Sequence, residues 1–577
     1  MRAHYLVQPN CWVALRLPSD TLKVLLMVPN TIVSLGKYGT FASNDILQRP
    51  YHLTYELLDR QEGHKDSGLR IVPASEIHED TIAEEDAASS PKSDEAIIGG
   101  DGVEYELVGE DGEVIMRSNR ETIDDSARQT LTMDQIETLK REGTGAGKHL
   151  IAKLMLSHTA LDQKTSFSLA KYKLLKTKKY LRRFTVLPLD VPLLLNWYLS
   201  EKDPGKIMEM RDEMMGLTGS WANVHFSQSL PDAEGGRWLV VDETGGLLVA
   251  AMAERMGILY PSEEQLQSSS GNAHHREDAP LATSNTLTMV HNNAQPNLSL
   301  LKYFLFDPAT TTQPCPDHPL NSHLQAISWL QLVSPEKDTF YSTSVEQLSP
   351  EELEAFKPGK RGTYYRKLRR WQRTTSIVDT ALAGGFSGIV VASSMDPTSI
   401  IRHTIPLLRG GANISIYSPT IEPLVMLVDN YSTSRRTAFI TSPPDSFTSL
   451  ETDQERDNWK GDEDFPLNPT LILNASVQTA RVRSWQVLPG RTHPVMTGKG
   501  GAEGYLFTGV RVVPARGKVE ARGKFGKKRK ADEIAANGRS DMKKGKLEGE
   551  AEELAATPAA TDNGDDVVDV RMASPTL

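Results

Sequence analysis

Two stretches of this sequence combine residue types that bind polyanions. LAKYKLLKTKKYLRRF, from Leu169 to Phe184, carries Lys171, Lys173, Lys176, Lys178, Lys179, Arg182 and Arg183, interleaved with Tyr172, Tyr180 and Phe184 and without an acid. Like charges at i, i+4 repel by a few tenths of a kcal/mol per pair, so a solvated helix face normally mixes signs. A phosphate backbone would neutralise these cations and release counterions, and rings can stack on unpaired bases. The alternatives are an acidic protein surface or a merely solvated helix. KRGTYYRKLRRWQRT, Lys360 to Thr374, repeats the chemistry, with Arg366, Lys367, Arg369, Arg370 and Arg373 around Tyr364, Tyr365 and Trp371.

A third stretch has the form of a cofactor site. VVDETGGLLVAAMAERMG, Val240 to Gly257, reads as strand, glycine turn and helix, the arrangement in which backbone amides at a helix start meet a ligand. Asp396-Pro397 follows the apolar run SGIVVAS and offers a carboxylate, although Asp is also a good N-cap and Pro suits the first helical position. GTGAGKH, Gly143 to His149, is not a phosphate loop. Glu142 stands where that pattern needs glycine and His149 where it needs Ser or Thr, so it reads as an inter-helix turn. His274-His275 lacks partners at metal-ligand spacing, and no metal is expected.

The elements that must position these residues follow from periodicity. WVALRL, TIVSLG and HLTYELL alternate apolar and polar between turn residues, as in a small antiparallel sheet or barrel. TLTMDQIETLKREG, Thr130 to Gly143, predicts a helix capped by Thr132 with Gln135 completing a capping box. GRWLVVD, LSLLKYFLF, SGIVVAS and NISIYS are near-continuous apolar runs, the pattern of strands buried on both faces of a parallel sheet. Helical segments between them complete a doubly wound α/β domain. The expected organisation is an N-terminal antiparallel sheet or barrel with helical extension over 1–73 and 103–165, a basic segment over 166–184, and the doubly wound domain over 185–514. Polar inserts are expected near 261–296, 334–359 and 442–466.

Between Ala74 and Ser126 there are 17 Asp and Glu against 3 Lys and Arg, a local charge of −14. The whole chain carries −11, so the remainder carries +3 and the folded parts are not acidic. Residues 74–102 read as a disordered acidic insert, and 515–577 as a disordered tail. In that tail Lys527, Lys528, Arg529 and Lys530 suit nuclear import, with a non-specific RNA grip as the alternative. No apolar run reaches the ~18 residues of a membrane span, the first residues lack a signal peptide's apolar stretch, and two cysteines make no disulfide framework. An intracellular protein is expected.

QTLTMDQIETLKREG, FSLAKYKLLKTKKY, VVDETGGLLVAAMAERMGIL, GFSGIVVASSMDPTSII and RSWQVLPGRTHPVMTGKGGAEGYLFTG, in this order, resemble the non-catalytic, RNA-binding subunits of eukaryotic tRNA adenine-58 N1-methyltransferases. The resemblance runs from the first residues to about Val513, outside the polar inserts. It implies a β-barrel followed by a Rossmann-like methyltransferase-type domain with a degenerate cofactor site, and no cofactor in this subunit. It also implies a catalytic paralogue that binds S-adenosylmethionine, a heterotetramer of two copies of each, tRNA substrates including initiator methionyl tRNA, and a nuclear complex.

The residues agree at the turn. A working S-adenosylmethionine loop reads close to E/D-x-G-x-G-x-G, whereas Asp242-Glu243-Thr244-Gly245-Gly246-Leu247 has adjacent glycines and leucines where a ligand needs room. The segment after the helix, Gly257 to Pro261, also ends without an acid for ribose hydroxyls. The glycine-rich Arg491 to Tyr505 segment either brings Arg491, His493 and Lys499 to RNA phosphates or is only a long hairpin between WQVL and YLFTGVRVV. Arg483, Asn119 and Arg120 are further RNA candidates. The rival readings are an active S-adenosylmethionine-dependent RNA methyltransferase using Asp242 to Leu247 and Asp396, and a scaffold with no RNA contact.

Overall fold

The computed structural model describes residues 5–76 with a break at 61–66, short pieces between 107 and 179, and 180–513 with breaks within 230–234, 263–278, 309–316 and 489–499. The acidic segment beyond residue 76, the 515–577 tail with Lys527, Lys528, Arg529 and Lys530, and His274-His275 lie outside the described residues.

The N-terminal strands are β1 (Trp12–Arg16), β2 (Leu22–Leu26), β3 (Ile32–Ser34), β4 (Thr40–Ala42), β5 (Thr54–Arg60) and β6 (Ser67–Ile71); β7 (Leu107–Val108) and β8 (Val114–Met116) form a separate short hairpin. Strand β9 (Arg183–Pro188) joins β1, β2, β5 and β6 in an antiparallel sheet of order β2-β1-β9-β5-β6, and β3 and β4 pair as a hairpin. Period-two alternation explains how the sheet uses both faces. Val13, Leu15, Phe184 and Val186 enter the N-terminal core with Phe41 and Tyr55, while Ala14 and Leu187 on the opposite face join the core of the following domain. Strand β9 therefore crosses the boundary expected at 184/185 and lies at the centre of the first sheet. Phe184 stacks on Phe41 at 4.9 Å and on Tyr55 at 5.6 Å, so its ring is core and not a platform for bases.

Before β9, Thr132 and Gln135 exchange the two hydrogen bonds of the expected capping box. Helix α1 (Ala146–Leu156) already includes Gly147, Lys148 and His149, so these residues of the expected turn are helical, and 143–145 lie outside the described residues. Ile136, Leu150 and Leu154 form a small core on which Leu131 and Tyr180 pack.

After β9 come α2 (Val191–Glu201), capped by Asp190, and α3 (Asp212–Trp221), then β10 (Arg237–Asp242), α4 (Leu247–Arg255), β11 (Thr286–His291) and β12 (Leu324–Ser328). Helix α5 (Pro358–Leu382) leads into β13 (Phe386–Ala392), α6 (Pro397–Thr404), β14 (Leu408–Ser418), α7 (Glu422–Asn430) and β15 (Ile472–Gln478). Strands β16 (Trp485–Leu488), β17 (Arg491–Pro494) and β18 (Tyr505–Arg511) end the described chain. The large sheet has order β12-β11-β10-β13-β14-β18-β15, parallel from β12 to β14, with β18 antiparallel to both its neighbours. Trp238 and Val240 of β10 face one core, Leu239 and Val241 the other. No described helix is long and apolar enough to cross a membrane.

Three expectations change here. LSLLKYFLF is not a strand: Leu301–Phe304 is a 3-10 turn packed into the core. The strand needed at that place is TLTMVH, inside the segment read as a polar insert, and all six of its residues are buried. WQVL pairs with Arg491–Pro494 rather than with the YLFTGVR strand, which instead enters the large sheet.

His318 holds the 3-10 turn from behind. Its Nε2 lies 3.1 Å from the Phe304 carbonyl, and its Nδ1 accepts the Leu320 N–H at 3.1 Å. Burial lowers the imidazole from 6.5 to about 4. The unfolded chain therefore binds more protons between these values, so stability is full above pH about 6.5 and falls as the pH drops towards 4, by about 3 kcal/mol in all. Urea unfolding followed from pH 7 to pH 4 should show this loss, and His318→Gln should flatten the slope over that window.

Candidate nucleic-acid interface and the turn at the sheet crevice

In a doubly wound sheet a ligand sits outside the carboxyl ends of the strands where the strand order reverses. Here that point lies between β10 and β13. The turn after β10 places the first N–H groups of α4 there, and such orphan donors attract an anion. Asp242 supplies it from within the chain. Its Oδ1 accepts the Thr244 N–H at 2.6 Å and the Thr244 hydroxyl at 2.7 Å, and its Oδ2 accepts the Val249 N–H at 2.9 Å. Thr244 Oγ1 in turn accepts the Leu248 N–H at 2.9 Å. Burial pushes the Asp242 carboxyl up from its usual range, and these donors pull it back.

Gly245 and Gly246 have φ of +74° and +93°, in the left-handed region. Space also requires glycine, because a Cβ on Gly246 would lie 3.1 Å from Leu298 Cα and one on Gly245 3.3 Å from Leu300 Cγ. The segment Leu298–Leu301 thus lies directly on the turn, held by the Leu300 N–H on the Gly245 carbonyl at 3.0 Å. Across the crevice, Glu243 Oε2 accepts the N–H and the hydroxyl of Ser394 at 2.8 and 2.7 Å. A carboxylate borders the crevice on one side and leucines on the other.

The other two positions at which this fold could hold a cofactor also make contacts within the chain. The strand following α4 is β11, so the position for a ribose-binding acid is His291 rather than the Tyr260-Pro261 of the sequence reading; its Nδ1 lies 2.8 Å from the Asn293 carbonyl. Asp396 caps α6, accepting the Thr398 and Ser399 N–H groups at 3.3 and 3.0 Å. No cluster of potential metal ligands exists among the described residues.

The basic segment is partly described. Lys171, Lys173 and Lys178 lie outside the described residues, as do Asn119, Arg120 and Lys499. Lys176 is half-buried with its Nζ 4.7 Å from the Tyr172 ring, and Lys179 is exposed with its Nζ 5.4 Å from the Tyr180 ring. Arg182 is half-buried. Arg183 is different: its Nη2 meets Glu76 Oε1 at 2.7 Å, and its Nε lies 3.5 Å from Glu56 Oε1. Arg70 pairs with the same two carboxylates. Arg183 is therefore a structural cation, and Glu76, read as part of the disordered acidic insert, is an ordered partner. The signal that could have found this pairing is weak, because 107 residues separate the two.

The second basic stretch is the first half of α5. Arg366, Lys367, Arg369 and Arg370 are exposed, and Arg370 lies over the Phe340 ring at 5.1 Å. Arg373 is an anchor, donating to the Ala279 and Asn321 carbonyls at 2.6 Å each. These carbonyls precede β11 and β12, so Arg373 sits at the amino-terminal edge of the sheet, opposite the Asp242 turn. In the C-terminal signature, Arg483 is exposed and His493 is half-buried in β17. Arg491 has its backbone in β17, and its side chain lies outside what is described. Gly501 and Ala502 are tied to Arg211, and Ala502 also to the Glu209 carbonyl.

The strand order, the βα turns and the antiparallel β18 define a Rossmann-like, methyltransferase-type domain, joined to an N-terminal β unit. Residues 6–357 match the Gcd10p family, and the chain belongs to it. The tRNA (adenine(58)-N(1))-methyltransferase non-catalytic subunit trm6 of Aspergillus fumigatus is 44% identical, covering 99% of this chain and 100% of its own length. That of Aspergillus oryzae is 45% identical over 91% of this chain and 96% of its own, and that of Schizosaccharomyces pombe 26% over 94% and 98%. Among solved structures, the tRNA (m1A58) methyltransferase of Aquifex aeolicus aligns with 88% of this chain and 99% of its own at 8% identity, with a loose TM-score of 0.34.

The two arginines at the end of the basic segment should respond differently to removal. Arg183→Ala removes the more buried of the two cations shared by Glu56 and Glu76, leaving only the half-exposed Arg70, and should lower stability by roughly 1–2 kcal/mol in chemical denaturation. Replacing Lys176, Lys179 and Arg182 by Ala should spare stability, weaken tRNA binding, and reduce the slope of log affinity against log salt by about 3.

Proposed function

We propose that this chain is the non-catalytic subunit of a nuclear tRNA (adenine-58-N1)-methyltransferase: it grips tRNA and scaffolds a catalytic paralogue that alone binds S-adenosylmethionine. The observation that carries the reading is the Asp242 carboxylate on the start of α4, with Leu298–Leu301 packed on the turn. A chain whose cofactor space is filled by its own side chains has its surface left to contribute. The relatives named as non-catalytic subunits of this enzyme support the same role.

The contribution is positional. A target adenine held in folded tRNA must be exposed before it can be methylated, and unstacking it costs a few kcal/mol. Phosphate contacts from Lys176, Lys179 and Arg182, and from Arg366, Lys367, Arg369 and Arg370 on α5, offset that cost by holding the tRNA body. Initiator methionyl tRNA is among the substrates proposed. The assembly proposed is a heterotetramer with two copies of each subunit. Exposed apolar side chains, Trp485 and Val487 on the β16–β17 hairpin and Val425 and Met426 on α7, are suited to a protein partner. Nuclear residence rests on Lys527, Lys528, Arg529 and Lys530 and on the family resemblance.

The rival, an active S-adenosylmethionine-dependent methyltransferase, is separated by calorimetry and reconstitution. The isolated chain should give no saturable heat with S-adenosylmethionine up to millimolar concentration, and methylation of adenine 58 should require both subunits. Tight binding by this chain alone, or methylation without the paralogue, would overturn the proposal.

A further inference from the structure

A cavity of about 540 Å³ lies between the N-terminal sheet and the end of α4, within the range of roughly 300–1,000 Å³ typical of small-ligand sites. It is separate from the crevice at Asp242. Its walls include Trp12 of β1, Tyr51, Tyr260 and Tyr303. All four rings are half-buried, so ring surface is left uncovered on the cavity side. Their orientation is fixed: Trp12 meets the Tyr303 ring at 4.8 Å and 70°, and Tyr303 also meets Trp197 at 6.0 Å. The polar part of the lining includes Glu254, whose Oε1 accepts the Tyr260 hydroxyl at 2.9 Å.

Two exposed ammonium groups lie on the ring cluster that continues from this wall, one on Tyr303 itself and one on Trp197, a buried ring packed against Tyr303 outside the lining. Lys302 Nζ is 5.3 Å from the Tyr303 ring, and Lys202 Nζ is 4.9 Å from the Trp197 ring. An apolar side chain from a protein would use the rings and leave these cations unmatched. A nucleotide uses both, because its base stacks on aromatic faces while its phosphate meets the ammonium groups. The carboxylate of Glu254 adds an acceptor for the exocyclic amine of a base. Building on the tRNA-binding role proposed above, we infer that this cavity receives an unpaired, amine-bearing nucleobase of the bound tRNA, splayed from its stack, with Lys202 and Lys302 on the adjoining phosphates.

Cys11 lines the cavity, and Cys315, the chain's other cysteine, is buried. Alkylation of Cys11 by iodoacetamide at mildly alkaline pH, read on its peptide by mass spectrometry, therefore reports occupancy. The assay uses the full chain assembled with its catalytic paralogue, with tRNA binding measured in the same samples. At ten times its Kd, tRNA should slow alkylation about ten-fold. Millimolar adenosine monophosphate should also slow it, and ribose 5-phosphate should not. Tyr303→Leu should weaken tRNA binding about five-fold or more, as for loss of one stacked base, and should abolish protection by adenosine monophosphate. Bound tRNA with Cys11 alkylated at the free rate would sink the cavity assignment alone. Equal protection by ribose 5-phosphate, or full protection by the paralogue without RNA, would sink it too. Absence of any tRNA binding would remove the role on which it rests.

Discussion

A helix that starts at the end of a buried strand must satisfy its first N–H groups without water, and here a carboxylate in the chain itself does so. Asp242 reaches across its own turn to the Val249 amide, and Thr244 relays a further bond to Leu248. The neighbouring features depend on that closure. With these amides bonded from inside, Leu298–Leu301 lies on the glycines at van der Waals distance, and Glu243 bridges to Ser394. The sheet keeps the packing that a cofactor-binding fold requires while the crevice is spent on internal contacts.

The fold class, the βα turn and the capping roles of Thr132 and Asp396 were legible because each is a local rule acting on neighbouring residues. What escaped was decided by distant partners. TLTMVH is a fully buried strand, yet two of its residues are threonines, Thr286 and Thr288, whose buried hydroxyls have no hydrogen-bond partner among the described residues; a run with such polar members reads as part of a polar insert. LSLLKYFLF is apolar enough for a strand, but its burial comes from lying on the glycine turn, which periodicity cannot distinguish from burial in a sheet. The basic segment was legible as a charge run, though not the point within it where cations stop facing outward. That point is set by Glu56 and Glu76, which no spacing in the sequence ties to Arg183.

Among the cations, the structure separates anchors from exposed groups. Arg183, Arg237 and Arg373 each donate to acceptors of their own chain: carboxylates for the first, carbonyls for the others. Arg366, Lys367 and Arg370 stand on the outer face of a helix whose last turns supply Ile377, Val378 and Ala381 to the core. A single helix thus serves packing at one end and electrostatics at the other, because its fully buried residues are confined to its final turns.

The position of β9 has a mechanical consequence. It follows directly on the basic segment and lies between β1 and β5, hydrogen-bonded on both sides. A load pulling on Lys176 to Arg182 along the chain enters β9 at its first residue and is carried lengthwise between two ladders. Such shear loads several hydrogen bonds together, whereas peeling an edge strand would break them one at a time. The cations nearest the strand are moored to a strand paired on both sides, so any tension applied to them would pass into the body of the N-terminal sheet.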